Sequence, residues 1–297
     1  MRDEFYTGDI AQAIVNFHAQ KGGLFTAQDL ANYQGGWETP LTGQYGDYTI
    51  FANDTWTQGG VVLMALQILD GIDLKSMGHN SPEYVNTVLQ AIDLAMADRE
   101  AYFGDPRFVQ VPIQALLDPR YAAVRRTLIT PGKAFTQMPP AGDPLNLSAV
   151  LASQTPLAAS SNGESWLASL PVGKDTSYLS IVDAAGNAVS MTPSDFPKTP
   201  MVPGTGLTLG NRMNQFYLDP QHPDSFAPHI YQPGTIGLEK SLDASAGKQL
   251  AAMGYKVQVD GDCDNQYGAA DVILKDPATG QLIGGADPRE ESWVAGN

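Results

Sequence analysis

The hydrophobic residues of the N-terminal third recur with the spacing of helices. In residues 5–18 the apolar side chains fall on one helical face, at Ile10, Ala13, Ile14 and Phe17. Thr26 is a suitable N-cap for a second, short helix. Residues 61–69 are apolar on all sides, which is typical of a buried helix. Ser81 and the proline after it begin a longer helix over residues 82–102.

Strand-like patterns alternate with these helices. Residues 37–50 are β-like, with Gly46 and Asp47 as the turn of a hairpin. A second hairpin is predicted where residues 176–182 carry hydroxyl, aromatic and branched side chains, residues 183–187 turn the chain, and residues 188–192 return. Gly186 and the asparagine after it tolerate the positive φ angles of such a turn.

The C-terminal part combines a helix with further strands. A helix is predicted over residues 242–253, with Gly254 as its stop. Strands are predicted over residues 255–259 and 271–274, and residues 276–280 form a hairpin turn. The chain therefore mixes helices and strands throughout, as α/β and α+β proteins do.

Two stretches lack this periodicity. Residues 130–175 are rich in Pro, Ala, Gly and Ser, which predicts a mobile linker running up to the second hairpin. Residues 197–216 contain prolines and a Gly-Thr-Gly turn at Gly204, which predicts a rigid loop. Thr176 lies where the linker meets the hairpin, so a cut before it would leave a threonine as a new amino terminus. Threonine is also a common strand residue, so on pattern alone this element is equally typical of an ordinary hairpin.

Composition excludes several classes of function. The 297 residues carry a net charge of −15, which argues against a nucleic-acid partner and gives no support for an anionic membrane surface. One cysteine and four scattered histidines show no metal-ligand spacing, so no metal and no cofactor are predicted. With no membrane-spanning run and no signal peptide, the chain is predicted to be soluble, in the cytoplasm or the periplasm.

The second hairpin carries a specific resemblance. Residues 175–183 read Asp-Thr-Ser-Tyr-Leu-Ser-Ile-Val-Asp, and residues 186–192 read Gly-Asn-Ala-Val-Ser-Met-Thr. This string resembles the start of the small subunit of γ-glutamyltranspeptidases (glutathione hydrolases), which are N-terminal nucleophile hydrolases. Residues 5–14, 22–33 and 95–109 are similar to the second half of the large subunit of the same family.

The resemblance implies a fold and a division of the chain. It implies the αββα four-layer sandwich of this superfamily, which a shortened chain would leave incomplete. Residues 1–175 would be a large-subunit-like segment and residues 176–297 a small-subunit-like segment. In the first segment, Asp98, Arg99 and Asp105 are expected to form an ion-pair cluster that shapes the fold.

The resemblance also implies a chemistry. Family members cut themselves before a threonine, here between Asp175 and Thr176, and then use that threonine as the nucleophile. Its hydroxyl needs a base, and the freed α-amino group has a suitable reference pKa of about 7.7–8.0. Ser194 falls on the family's second hydroxyl, which orients the nucleophile. The implied reaction is hydrolysis or transfer of a γ-glutamyl or related acyl group.

Four residues fall at positions where the family binds its substrate, and three of them depart from it. Phe196 stands where an asparagine is usual, Arg212 where a glutamine is usual, and Gln215 where an aspartate pairs with the substrate ammonium. Asn211 is the fourth. Losing the aspartate removes a charge-assisted contact, so the small-molecule substrate need not be glutathione.

Two family segments have no counterpart in the chain. The first half of the large subunit is absent, and between His222 and Pro223 the sequence jumps past the segment that carries the oxyanion hole. The chain is thus expected to be truncated and internally deleted. An alternative function is an inactive remnant that acts as a binding or assembly module. The expected assembly is a heterodimer of the cleaved subunits or a homo-oligomer.

Overall fold

The computed structural model describes residues 2–146, 178–192, 200–210, 233–241, 244–262, 270–289 and 292–296. These residues form two compact units. Unit 1 comprises the described residues within 1–37, 165–211 and 263–297, and unit 2 those within 38–164 and 212–262. Each unit combines residues from both sides of the predicted boundary at 175/176, which stays a prediction.

Helices and strands alternate along the chain. The helices are α1 (Arg2–Tyr6), α2 (Asp9–Gln20), α3 (Ala27–Asn32), α4 (Gly59–Leu69), α5 (Pro82–Tyr102), α6 (Ile113–Leu116), α7 (Pro119–Arg126) and α8 (Ala244–Met253). The strands are β1 (Leu41–Tyr45), β2 (Tyr48–Ala52), β3 (Leu179–Val182), β4 (Ala188–Met191), β5 (Met201–Val202), β6 (Leu207–Thr208), β7 (Thr235–Glu239), β8 (Lys256–Asp260), β9 (Val272–Lys275) and β10 (Leu282–Gly285).

The strands pair two by two in the described part of the chain. Antiparallel hairpins are formed by β1 with β2, β3 with β4, β5 with β6, and β9 with β10. The remaining pair, β7 with β8, is parallel and is joined through α8. The predicted hairpins over residues 37–50 and 176–192 are confirmed where the structure describes them.

The predicted helix over residues 5–18 is wrong in its first turns. The structure has two helices there, because Gly8 takes an extended backbone conformation and ends α1 before α2 begins. The Asp9 N–H, which has no partner within α2, donates to the Glu4 carboxylate at 3.2 Å. The four apolar residues of the predicted stripe, from Ile10 to Phe17, all lie in α2, so the error concerns only the residues before Asp9.

Local capping signals predicted the neighbouring helices correctly. The Thr26 hydroxyl accepts the Asp29 N–H at 3.2 Å, and the Asp29 carboxylate accepts the Thr26 N–H at 2.8 Å. This is a capping box, which occupies two N–H groups that a helix start otherwise leaves free. The Ser81 hydroxyl accepts the Tyr84 N–H at 3.1 Å and caps α5 in the predicted place.

Unit 2 is built around α4 and α5. Helix α4 packs on α5, on α7 and on the β1–β2 hairpin, and most of its side chains are buried, as predicted. The two principal clusters contain Met64, Ala95, Phe103, Leu116 and Tyr121, and Ile68, Leu69, Ala91, Leu94 and Ala122. A third cluster joins α5 to β7, α8 and β8.

Helices α6 and α7 and strand β7 were not predicted. Helix α7 carries a recognisable start, since the Asp118 carboxylate accepts the Arg120 N–H at 2.8 Å and a proline follows at the first helical position. Asp118 and the proline after it could therefore have predicted the start of α7 from the sequence. For β7 the pairing partner, β8, is separated in sequence by a helix, so no turn motif marks it.

The predicted linker over residues 130–175 is wrong in its first part. Residues 130–146 are held within unit 2: the Thr130 N–H donates to the Gln90 side chain at 2.8 Å, and the Ala134 N–H donates to the Met253 carbonyl at 2.8 Å. A Pro- and Gly-rich composition does not prevent such anchoring when buried partners are in reach. Residues 147–175 lie outside the described residues.

Candidate functional site

The residues predicted to carry the chemistry lie outside the described residues. This applies to the cleavage position, the nucleophile and its orienting hydroxyl, and the predicted substrate contacts: Asp175, Thr176, Ser194, Phe196, Asn211, Arg212 and Gln215. The structure does describe two elements that flank them in sequence. These are the β3–β4 hairpin, between Thr176 and Ser194, and residues 200–210, between Phe196 and Asn211.

The β3–β4 hairpin has a defined register. Leu179 pairs with Met191, and Val182 pairs with Ala188. The turn is closed by Asp183, whose carboxylate accepts both the backbone N–H and the side-chain amide of Asn187, each at 2.8 Å. These hydrogen bonds hold the pKa of Asp183 below its usual value.

The chain direction through this turn depends on one glycine. Gly186 has a φ of +86°, a conformation that side chains with a Cβ seldom adopt. At the other end of the hairpin, the hydroxyls of Tyr178 and Ser190 lie 3.0 Å apart and form a hydrogen bond across the strands. Sequence pattern and structure therefore agree on this element.

The loop over residues 200–210 is held by its own turn and by the helices of unit 1. The Thr205 hydroxyl donates to the Val202 carbonyl at 2.9 Å and accepts the Leu207 N–H at 3.0 Å. Val202 is fully buried in a cluster with α2 and α3. The turn predicted at Gly204 is present in these residues, whereas the rigidity of the loop stays a prediction.

A buried charge site lies in unit 2 and was not predicted as such. The Arg125 Nε lies 3.1 Å from the Asp98 Oδ2, and both side chains are almost completely buried. The Gly142 N–H donates to the Asp98 Oδ1 at 2.8 Å. Burial raises the pKa of Asp98, and the attraction of Arg125 opposes that rise.

The remaining donors of Arg125 bind backbone carbonyls. Its Nη1 donates to the Pro140 carbonyl and its Nη2 to the Leu94 carbonyl, each at 3.0 Å. Tyr102 adds a hydrogen bond from its hydroxyl to the Gly142 carbonyl at 2.7 Å. A Cβ at residue 142 would overlap the Tyr121 hydroxyl, so only glycine fits there. The site therefore anchors residues 140–143, and each of the three guanidinium nitrogens has a protein oxygen beside it.

The predicted cluster of Asp98, Arg99 and Asp105 is wrong for the ion pairs that the structure describes. Asp98 pairs with Arg125, while Arg99 lies beside Glu100, with the two charged atoms 2.5 Å apart. The Asp105 carboxylate accepts from the Arg107 guanidinium, with Nε at 3.0 Å from each of its oxygens. These hydrogen bonds lower the pKa of Asp105. In the ion pairs that the structure describes, each of the three predicted residues is therefore paired with a residue outside the predicted cluster.

Metal-binding and membrane-spanning features are missing from the described ranges. Within the described residues, no three His, Cys, Asp or Glu side chains come together in a way that could hold a metal ion. Among the helices of these ranges, none combines the length and the apolar character needed to cross a membrane.

Comparison with known proteins identifies relatives along most of the chain. The gamma-glutamyltranspeptidase family model matches residues 2–229. The glutathione hydrolase-like YwrD proenzyme of Bacillus subtilis (strain 168) is 30% identical over 243 residues, which cover 79% of this chain and 40% of that protein. The acylase ACY 1 proenzyme of Pseudomonas sp. (strain SE83) is 32% identical over 232 residues, covering 76% and 36%.

A third relative and a solved structure extend the comparison. The glutathione hydrolase proenzyme of Escherichia coli (strain K12) is 31% identical over 261 residues, which cover 86% of this chain and 40% of that protein. The crystal structure of cephalosporin acylase from Bacillus halodurans superposes with a TM-score of 0.79 and 24% identity, over 99% of this chain and 59% of that one. This likeness shows that the chain shares the fold of that acylase, and its mixture of helices and strands confirms the predicted α+β class.

The chain spans about two fifths of the length of the curated relatives that it matches. The family match nevertheless extends over more than half of the chain, and it includes both the helices before the predicted cleavage position and the hairpin after it. The chain therefore belongs to the gamma-glutamyltranspeptidase family.

Proposed function

We propose that this chain is a self-processing amidohydrolase or acyltransferase that cuts itself between Asp175 and Thr176 and then uses Thr176 as its nucleophile. The proposal rests on family membership together with one geometric observation, the register of the β3–β4 hairpin. Relatives of both names, glutathione hydrolase and acylase, are described as proenzymes.

The register supports the pairing of the two proposed catalytic hydroxyls. Leu179 and Met191 form the last described pair at the open end of the hairpin. Thr176 precedes Leu179 by three residues, and Ser194 follows Met191 by three residues. Because the two offsets are equal, two extended chain ends would bring Thr176 and Ser194 opposite one another. Ser194 is thus suited to orient the nucleophile.

Maturation would begin with the Thr176 hydroxyl. Its Oγ attacks the carbonyl carbon of Asp175, and the peptide C–N bond breaks as the Asp175 acyl group moves to that oxygen. The displaced nitrogen takes the hydroxyl proton and becomes the free α-amino group of Thr176. Water then hydrolyses the ester, which releases the Asp175 carboxylate and regenerates the hydroxyl.

Turnover would use the same atoms. The α-amino group of Thr176 accepts the hydroxyl proton while Oγ attacks the substrate amide carbonyl, and the leaving amine departs with that proton. An acyl ester on Thr176 remains, and water or an amine resolves it. With a reference pKa of about 7.7–8.0, the α-amino group is suited to this proton transfer near neutral pH.

The acyl donor is proposed as a γ-glutamyl or related amide, held by Asn211, Arg212, Gln215 and Phe196. Gln215 offers a neutral amide where an anion would pair with a substrate ammonium, and Arg212 favours a carboxylate. A donor with a carboxylate and without the usual α-ammonium therefore fits these residue types better than glutathione does. The relatives named acylases agree with such a broader range of donors.

Unit 2 supports the proposal that two chains stay together after the cut. The Tyr255 hydroxyl donates to the Asn86 side-chain oxygen at 3.1 Å, and Ala134 donates its N–H to the Met253 carbonyl. Leu238 and Leu250 are buried in the same cluster as Ala134. These contacts join residues before position 175 to residues after it. A heterodimer is thus the proposed product of cleavage.

The alternative proposal is an inactive remnant that serves as a binding or assembly module. The observation that favours it is the jump in sequence between His222 and Pro223, where the family's oxyanion segment has no counterpart. If oxyanion donors are among what is lost, the rate would fall by about 10²–10³-fold for each donor.

The decisive experiment is the intact mass of the purified chain after prolonged incubation. The proposal predicts two fragments that separate between Asp175 and Thr176, and a single uncut mass for the Thr176→Ala variant. The matched control is Ser177→Ala, which removes the hydroxyl of the next residue and should still be cut. One uncut mass in all three samples would favour the remnant.

A further inference from the structure

The turn of the β3–β4 hairpin has a defined type. Its loop consists of Ala184, Ala185 and Gly186. The Gly186 N–H donates to the Asp183 carbonyl at 3.0 Å, and Gly186 has a φ of +86°. This is the three-residue connection that ends with a residue in the left-handed region. The Asp183 N–H donates to the Asn187 carbonyl at 3.0 Å, so these two residues form the pair that closes the loop.

The Asp183 side chain completes this pair. In a hydrogen-bonded antiparallel pair, each residue normally donates its N–H to the carbonyl of the other. Here the Asp183 carbonyl accepts from Gly186, and the Asn187 N–H donates instead to the Asp183 carboxylate at 2.8 Å. The second carboxylate oxygen accepts the Asn187 side-chain amide, also at 2.8 Å. A slip of the strands by one residue would break both of these bonds, so the carboxylate favours this register.

Burial gives the register little support. All four residues of β4 are exposed, and Leu179 and Ile181 of β3 are exposed as well. Burial of one face specifies the register of a ladder strongly, whereas in hairpins the turn type and the loop length fix it. The turn at Asp183 is therefore the principal local determinant of how β3 and β4 align.

The register decides which residues meet at the open end of the hairpin. Counting from the hydrogen-bonded pair at Asp183, hydrogen-bonded and non-hydrogen-bonded pairs alternate along the ladder. Continued through the sequence without a break, this count makes Thr176 and Ser194 a non-hydrogen-bonded pair, the kind in which side chains lie closer. A slip by one residue would instead place Pro193 or Asp195 opposite Thr176 and would remove the second hydroxyl from that position.

We propose that Asp183 is a positioning residue whose carboxylate sets the register that brings Ser194 opposite Thr176. This inference rests on the proposed function, in which those two hydroxyls carry the chemistry. Asp183 follows Thr176 by seven residues in the sequence, so it acts through the ladder and not on the reacting atoms. Pro193 increases the importance of the turn, because a proline has no N–H to donate to the opposite strand near the open end.

Disulfide cross-linking tests the alignment without any need for catalysis. The background is Cys263→Ser, which removes the single native thiol. Thr176→Cys is combined either with Ser194→Cys or with Asp195→Cys, and disulfide formation under a mild oxidant is followed by mass. In a non-hydrogen-bonded pair the Cα atoms lie about 4.5 Å apart, which a disulfide can bridge. Because the side chain of residue 195 would point to the opposite face, the first combination should form at least about tenfold faster.

Two substitutions of Asp183 and one control separate alignment from stability. Asp183→Ala removes both acceptors and should reduce this preference to less than about threefold. Asp183→Asn keeps an acceptor for the Asn187 N–H and a residue type that favours turns, so it should retain most of the preference. Asp276→Ala is the matched control, because the Asp276 carboxylate accepts the Ala278 and Thr279 N–H groups in the turn of β9–β10. This control should leave the preference unchanged.

The rate of self-cleavage is the second readout. The same three substitutions are placed in a chain that keeps Thr176 and Ser194, and the cut before Thr176 is followed by intact mass. Asp183→Ala should slow the cut at least about tenfold, because the two hydroxyls lose their alignment. Asp183→Asn and Asp276→Ala should each slow it less than about threefold.

The two readouts distinguish this inference from the proposed function. A chain that never cuts itself, yet cross-links preferentially at residue 194 and loses that preference with Asp183→Ala, would support the positioning role and contradict self-processing. Equal cross-linking at residues 194 and 195 in the chain with Asp183 intact would overturn the inference, as would a preference that survives Asp183→Ala. An equal loss with Asp276→Ala would also overturn it, because the effect would then be one of general hairpin stability.

Discussion

The buried charge site of unit 2 and the β3–β4 and β9–β10 hairpins of unit 1 are opposite exceptions to the usual distribution of side chains. The first places charges in the interior, and the second places apolar side chains at the surface. In unit 2, Asp98 and Arg125 are ionisable and almost completely buried. In unit 1, Ile181 and Val272 are apolar and more than half exposed. Buried charges usually need partners, and exposed apolar faces usually need cover.

The two regions differ in whether residues of this chain provide the contacts that these side chains need. Asp98 and Arg125 find their partners within unit 2, including the backbone of Leu94 and Gly142. For the hairpins, the described residues leave the apolar faces open. Unit 2 therefore pairs its buried charges internally, whereas unit 1 leaves apolar side chains of these hairpins exposed.

The largest expected effect comes from removing the cation of the buried pair. Arg125→Met keeps an unbranched side chain but leaves Asp98 buried without its partner, so the free energy of unfolding should fall by roughly 3–5 kcal/mol. Urea unfolding followed by circular dichroism measures this. Arg120→Met is the control, because the Arg120 side chain is 75% exposed in its ion pair with Asp118. A similar loss in both variants would contradict a special role of the buried pair.

A second comparison shortens one apolar side chain in each region. Leu94→Ala should lower the free energy of unfolding by about 2–5 kcal/mol, because Leu94 is completely buried and a cavity would remain. Ile181→Ala should change it by only about 0.5 kcal/mol, since Ile181 is 59% exposed. The same urea titration serves both. A large loss for Ile181→Ala would show that its face is covered in the isolated chain.

The smallest expected effect is a pH dependence in unit 2. Arg107 lowers the pKa of Asp105, so in acid the unfolded chain binds a proton more readily than the folded chain does. The resulting stabilisation is present above the ordinary pKa of about 3.9 and is lost as pH falls through the lowered value. Because Arg107 is largely exposed, the effect should stay below about 1 kcal/mol.

Asp105→Asn should therefore flatten the decline of stability below about pH 4. The urea midpoint of the variant and of the unchanged chain is compared across this range. Asp47→Asn, which removes an equal charge from the exposed turn between β1 and β2, is the control. If both substitutions flatten the curve equally, the effect is one of net charge and not of the Asp105 contact.

Local sequence was sufficient wherever an element depends on residues close together in the chain. The Thr26 cap, the Ser81 cap and the turn at Gly186 were all predicted, because each joins groups only a few residues apart. The helix start at Asp118 could have been predicted from the same kind of signal. The resemblance to the family likewise depended on contiguous strings of residues.

Distant partners were decided by the tertiary structure alone. Gly142 and Asp98 are 44 residues apart, and the sequence around each of them contains no motif that predicts their hydrogen bond or the role of Arg125. The anchoring of residues 130–146 escaped prediction for the same reason. The alternating pattern of a strand also does not predict whether its apolar face is buried. Leu238 of β7 is buried beneath α8, whereas Leu179 of β3 is exposed. Periodicity defines which side chains share a face, and only packing decides whether another layer lies on it.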